Sequence, residues 1–240
     1  MNETLRNKLK TPEAKYLGKP FWAWNGDLEE TELLRQIEVM KEMGFGGYFM
    51  HSRTGLITEY LGEKWFSLVR SCAEYGKHLG METWLYDEDR WPSGSCGGLV
   101  TQNPDFRQRF ISEYDDDETA LGAKNVVGIL CRYALLLEDG NLKDARRVGS
   151  VQEVPAGYVY KVYAEELMEE SAFYNGTAYL DTMNPAAVEA FLKSTHDRYE
   201  EECGNMFGEE IRGIFTDEPH RGPAFFGFGI SNENKDNMTP

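Results

Sequence analysis

Leu33, Leu34, Ile37, Met40 and Met43 recur at three- and four-residue spacing, and Gly44 is placed to stop the helix they predict. Asp27, three residues before Glu30, predicts a capping-box-like start. Short apolar runs flank this stripe, "FWAWN" at 21–25 and "GGYFMH" at 46–51, and each reads as a strand. A loop containing Arg53 and Gly55 leads into a second stripe, Trp65, Leu68, Val69, Cys72, Ala73 and Leu79, closed by Gly80. "METWLYDED", 81–89, supplies a third strand. Strands returning every ~25 to 35 residues across helices have the rhythm of right-handed βαβ units.

Beyond residue 111 the rhythm breaks. "SEYDDDE", 112–118, reads as an acidic, solvated boundary. "NVVGILCRYALLL" and "GYVYKVYAEEL" follow as strands with no helix between them, punctuated by the turn signals Asp139-Gly140 and Asn175-Gly176. The stretch 112–177 is therefore expected to be a small antiparallel β insertion between 1–111 and 178–240. The α/β pattern resumes at "TAYLDTMNP", where Asn184 and Pro185 can open a helix carrying Val188, Phe191, Leu192, Tyr199 and Cys203 inward. Gly204 ends it, and Ile211–Phe215 reads as another core strand.

Each expected parallel strand ends in groups able to do chemistry: Trp24-Asn25, His51, Asp87-Glu88-Asp89, Asp181 and Asp217-Glu218. Parallel sheets bind ligands at the carboxyl ends of their strands, in barrels and in open sheets alike. In "GIFTDEP", strand alternation would set Glu218 with Thr216 and turn Asp217 away. A Glu shielded by aromatic walls has its protonated form favoured, which suits a general acid, whereas the plainer reading is a solvated turn before Pro219. In "YDEDRWPSG", Asp87 and Asp89 face together and Glu88 faces away. Those acids, beside Arg90, could bind a cation, orient sugar hydroxyls or form a salt-bridged rim, and Trp91 adds a large ring at the following turn. Trp24 is a candidate stacking platform, although core packing is the commoner fate of an indole. Asn25 could make a bidentate contact to hydroxyls, and His51 and Arg53 are polar candidates after the second strand.

Charge narrows the partners. The chain has 240 residues and a net charge of −16, with nothing to neutralise phosphates, so nucleic acid is not an expected partner. No run has signal-peptide or membrane-spanning character. Cys72, Cys96, Cys131 and Cys203 match no zinc spacing, which points to a reduced, cytoplasmic protein. Glycine-rich phosphate loops, serine nucleophile elbows and His-Glu-x-x-His patterns are missing, which removes support for those chemistries.

Taken together, "FWAWNGDLEETELLRQIEVMKEMGFGGYFMHSRTGL", "WLYDEDRWPSG" and "GIFTDEP" resemble the α-L-rhamnosidase family of inverting glycoside hydrolases, of the family 106 type. The resemblance covers most of 18–111 and about 178–222. It implies the first four or five strands of a (β/α)8 TIM barrel carrying the insertion, with Glu218 as general acid. Asn25, His51, Asp87 and Asp89 would meet the sugar, with Trp24, Arg53, Trp91, Asp181 and Asp217 as further candidate contacts. The substrate it implies is an oligosaccharide or plant polysaccharide glycoside. Calcium is associated with the family, but no full ligand set can be matched here. Inversion needs a base roughly 6.5–9.5 Å from the acid; the resemblance sets it on a later strand, in a C-terminal remainder of the same polypeptide beyond Pro240. Alternatives are a retaining β-galactosidase-type glycosidase, with carboxylates about 5–5.5 Å apart, and a non-catalytic carbohydrate-binding fragment. A metal-dependent hydrolase using His51, Asp87 and Asp217 is least favoured.

Overall fold

The computed structural model describes residues 9–220. Most of the basic opening stretch, together with Arg221 and the closing "GISNENKDNMTP", lies outside them. The chain forms two compact units: residues up to Leu99 with Glu189–Pro219, and Val100–Val188 with His220.

The first unit is α/β. Its strands β1 (Phe21–Gly26), β2 (Gly47–Leu56), β3 (Glu82–Asp89) and β8 (Ile211–Phe215) form one parallel sheet in the order β1-β2-β3-β8. Helix α1 (Glu30–Glu42) joins β1 to β2, and α2 (Glu63–His78) joins β2 to β3. Leu33, Ile37 and Met40 form the buried stripe of α1, and Gly44 ends it at φ 88. The expected capping box does not form. Glu29 is the N-cap and makes no side-chain capping bond, while Asp27 accepts from Thr58 and pairs with Lys64 at 2.8 Å. Strand β2 also runs past its expected end, so Arg53 and Gly55 lie in the strand because Leu56 still pairs with Gly26.

The two faces of this sheet differ. One packs on helices: Trp22 Nε1 donates to Gln36 of α1 at 2.7 Å, and Tyr48 donates to the Cys72 carbonyl of α2 at 2.6 Å. A third helix, α5 (His196–Cys203), is tied to α2 where Trp65 Nε1 donates to Tyr199 at 3.1 Å. The other face carries two layers of side chains in register, Phe21, Phe49 and Trp84 in one and His51, Tyr86 and Phe215 in the next. Gly213 fills the fourth place of the first layer because the Trp84 ring lies over it, and an added Cβ would fall 2.6 Å from that ring. Gly213→Ala is expected to lower stability by about 1–3 kcal/mol by overpacking. Urea denaturation reads this directly, and an unchanged midpoint would mean that the ring moves aside without cost.

The second unit holds an antiparallel sheet ordered β4-β7-β5-β6: β4 (Arg109–Tyr114), β5 (Val126–Glu138), β6 (Asn141–Arg147) and β7 (Val159–Leu167). Helix α3 (Asp117–Gly122) covers it, with Ala120 packed on Val162 and Ala164. Asp139-Gly140 makes the two-residue hairpin turn between β5 and β6, both residues at positive φ. The acidic stretch 112–118 is solvated as expected, with Glu113, Asp115, Asp116 and Glu118 exposed, but it lies inside the second unit rather than at a boundary. Ser112 and Tyr114 complete β4, Asp116 caps α3 through the Thr119 amide, and Asp117 pairs with Arg132. Helix α4 (Pro185–Ser194) carries the chain from this unit back to the first.

Candidate functional site

Side chains converge at the carboxyl ends of β2, β3 and β8 within the first unit. Burial pushes the His51 pKa down, with Arg53 acting in the same direction, so the ring is neutral near pH 7. It stacks on Tyr86 with centroids 3.6 Å apart, and its Nε2–H donates to the Arg90 carbonyl at 3.0 Å. Tyr86 in turn donates its hydroxyl to Asp217 Oδ2 at 2.8 Å. Phe215 lies parallel to Tyr86, which extends the aromatic floor towards Asp217 and Glu218. Asn25 and Arg53 are exposed at the ends of β1 and β2, and Trp91 is half-buried in the loop after β3.

Three expectations change. Trp24 is not a platform: at 1% exposure it packs edge-on between Trp22 and Trp65 on the helix-covered face. Asp87 is not open at the strand end. It is fully buried, with Ser93 donating to Oδ1 at 2.5 Å and Thr216 to Oδ2 at 2.6 Å, and burial pushes its pKa up. Asp181 does not end a parallel strand. Leu180 makes a single antiparallel bridge to Arg107 in the second unit, and the Asp181 carboxylate accepts from the Met183 amide in a turn.

Asp89 is half-buried and accepts a short hydrogen bond from Ser52. Glu218 departs from its expected setting, because β8 ends at Phe215 and strand alternation does not extend to it. The side chain is exposed rather than walled by aromatics. Its backbone has φ 44, a left-handed conformation that costs a non-glycine residue about 1–2 kcal/mol. Such strain persists only where the surroundings impose it, and it gathers at functional sites.

Sequence reasoning missed Glu88. It is 2% exposed, and its carboxylate accepts from four backbone amides: Asp89 at 2.8 Å, Gly94 at 2.9 Å, Cys96 at 2.8 Å and, through a short bond, Gly97. Burial pushes its pKa up to about 7 while the amides pull it down. The signal was present in "SGSCGG", 93–98, a run of small residues whose bare amides can surround an anion. Among the described residues no group of three or more His, Cys, Asp or Glu side chains is placed to hold a metal ion. The acids that end β3 are each engaged by hydroxyls or amides. Among the described residues, no helix is long and apolar enough to cross a membrane.

No protein-family model and no curated protein matches the chain. Among solved structures it is similar to a rhamnosidase from Novosphingobium sp. PP1Y, with a TM-score of 0.55 and 13% identity over 92% of this chain. The likeness is one of fold. This chain spans 40% of the length of that rhamnosidase chain.

Proposed function

We propose that the chain carries the proton-donor half of an inverting, rhamnosidase-like glycoside hydrolase, with Glu218 as general acid. One observation carries the reading: a parallel sheet in chain order, helices over one face and aromatic layers on the other, ending beside Asp217 and Glu218. Doubly wound sheets take helices on both faces and reverse their strand order, whereas barrels keep sequential order and turn one face inward. The four strands are read here as the first half of a (β/α)8 barrel, and the fold likeness to a rhamnosidase supports this. Aromatic rings suit the apolar faces of sugars, while Asn25, Arg53 and Asp89 offer polar contacts at the rim. Asp217, held by Tyr86, lies next to the acid and would keep it in place.

In this reading Glu218 protonates the glycosidic oxygen as the bond breaks. A second carboxylate, roughly 6.5–9.5 Å away, takes a proton from the attacking water. That base would come from a later strand of the same polypeptide, beyond Pro240. The substrate class is an oligosaccharide or plant polysaccharide glycoside, and the buried thiols Cys72, Cys96 and Cys203 favour a reducing, cytoplasmic setting.

The test expresses the reading frame to its natural end and follows α-L-rhamnoside cleavage by proton NMR. The inverted anomer should form first, while the 240-residue chain alone binds sugar without turnover. A retained anomer would favour the β-galactosidase-type mechanism. Sugar binding without turnover by the full reading frame would favour the carbohydrate-binding reading.

A further inference from the structure

The loop after β3 is built around one buried carboxylate and ends on the segment that carries Glu218. Four amides of residues 89–97 turn inward onto Glu88. Two non-glycine residues of the loop, Arg90 at φ 90 and Cys96 at φ 52, take left-handed conformations that need such a centre to hold them. Ser93 lies inside this loop at 1% exposure and faces the other way. Its N–H donates to the Asp217 carbonyl at 2.9 Å, and its Oγ accepts from the Asp217 N–H at 2.9 Å. The same Oγ donates to Asp87 Oδ1, whose partner oxygen accepts from Thr216. Both backbone polar groups of Asp217 therefore rest on one serine, and its carboxylate rests on Tyr86.

We propose that Glu88 and Ser93 are positioning residues: Glu88 shapes the 89–97 loop, and Ser93 uses that shape to fix the Asp217–Glu218 backbone. Glu88 touches no substrate. It acts through four amides and one serine, which set the direction in which the next residue projects its carboxyl. Small errors in the placement of a reacting group are costly, because the benefit of a preorganised site depends on near-attack geometry. The catalytic consequence rests on the glycosidase reading, but the structural coupling does not.

Amide hydrogen exchange on the 240-residue chain tests the coupling without any activity. Ser93→Ala should speed exchange at the Asp217 amide by about ten-fold or more and leave Gly94, Cys96 and Gly97 protected. Glu88→Gln, close in shape, should speed exchange at those three amides and at Asp217 together. If Glu88→Gln loosens the loop while Asp217 exchanges as in wild type, or if Ser93→Ala leaves Asp217 protected, the proposal is overturned.

In the complete enzyme, Ser93→Ala should lower kcat by about ten-fold or more on poor leaving groups with KM little changed. Ser93→Thr, which keeps the Oγ, should recover part of that loss. A Ser93→Ala enzyme with wild-type kcat would overturn the catalytic part. Expected exchange behaviour in a chain whose full reading frame cleaves no glycoside would uphold the coupling and remove the glycosidase reading instead.

Discussion

On the proposed glycosidase reading, Glu218→Gln in the full reading frame is expected to slow cleavage of unactivated glycosides by about 10²–10⁴-fold, the usual contribution of a positioned acid. The amide keeps the size of the side chain, so the strained φ of 44 and the Ser93 clamp on Asp217 should survive. Only the proton is lost. Leaving groups that depart without protonation, such as dinitrophenolate, should therefore be cleaved at rates near wild type, and the sensitivity of kcat to leaving-group pKa should steepen. Equal rates for mutant and wild type on a natural glycoside would remove Glu218 from the mechanism. An equal loss on good and poor leaving groups would assign it a binding role instead. The exposure of Glu218 makes this test sharper, since a merely solvated turn residue would change nothing.

The sheet of the first unit was legible because β1 and β2 are short apolar runs, each followed by a helix with a clear stripe, and β3 and β8 are further apolar runs of the same kind. Which face each residue takes was less legible. In β1 the exposed face also carries apolar residues, Phe21 and Ala23, so there is no polar alternation to read, and Trp22 and Trp24 could be assigned to a common face but not to the helix-covered one. The same ambiguity affected "TAYLD". Ala178, Tyr179 and Leu180 are buried like strand residues, yet their neighbours in the second unit allow one bridge and no ladder. Asp181 consequently left the site. Charge showed that 112–118 is solvated but not that it belongs to the second unit, because the Asp116 cap and the Asp117–Arg132 pair form only on folding. The turn signals were the most reliable guide, since Asp139-Gly140 and Asn175-Gly176 both adopt the positive φ that their chemistry permits. At the site, His51, Asp217 and the end of β3 were legible as strand-end polar groups. The stack of His51 on Tyr86 was not, because it depends on the register of β2 against β3, and the cradle around Glu88 was not, because it depends on how a loop folds back.

Glu88 also gives the fold a pH dependence that Glu88→Gln should remove. Burial raises its pKa from the usual 4.5 to about 7, against the four amides that favour its charge. Between those values the folded chain holds a proton that the unfolded chain has released, so folding takes up a proton and stability falls as pH rises through the window. Below about 4.5 the carboxyl is neutral in both states and the cost disappears; above about 7 the full cost of burying the charge is present, about 3 kcal/mol. Asp87, itself raised by burial, pulls in the same direction. His51 opposes them. Its pKa is lowered, so the unfolded state binds the proton more tightly and stability rises with pH as the free imidazole would lose it. The absolute slope therefore mixes opposing groups, and the informative quantity is the difference between wild type and Glu88→Gln. Urea unfolding at pH 5 and pH 8 should show the mutant gaining about 2.5 kcal/mol relative to wild type as pH rises. A gap between the two proteins that is the same at both values would mean that the four amides hold Glu88 charged throughout, with burial the weaker influence.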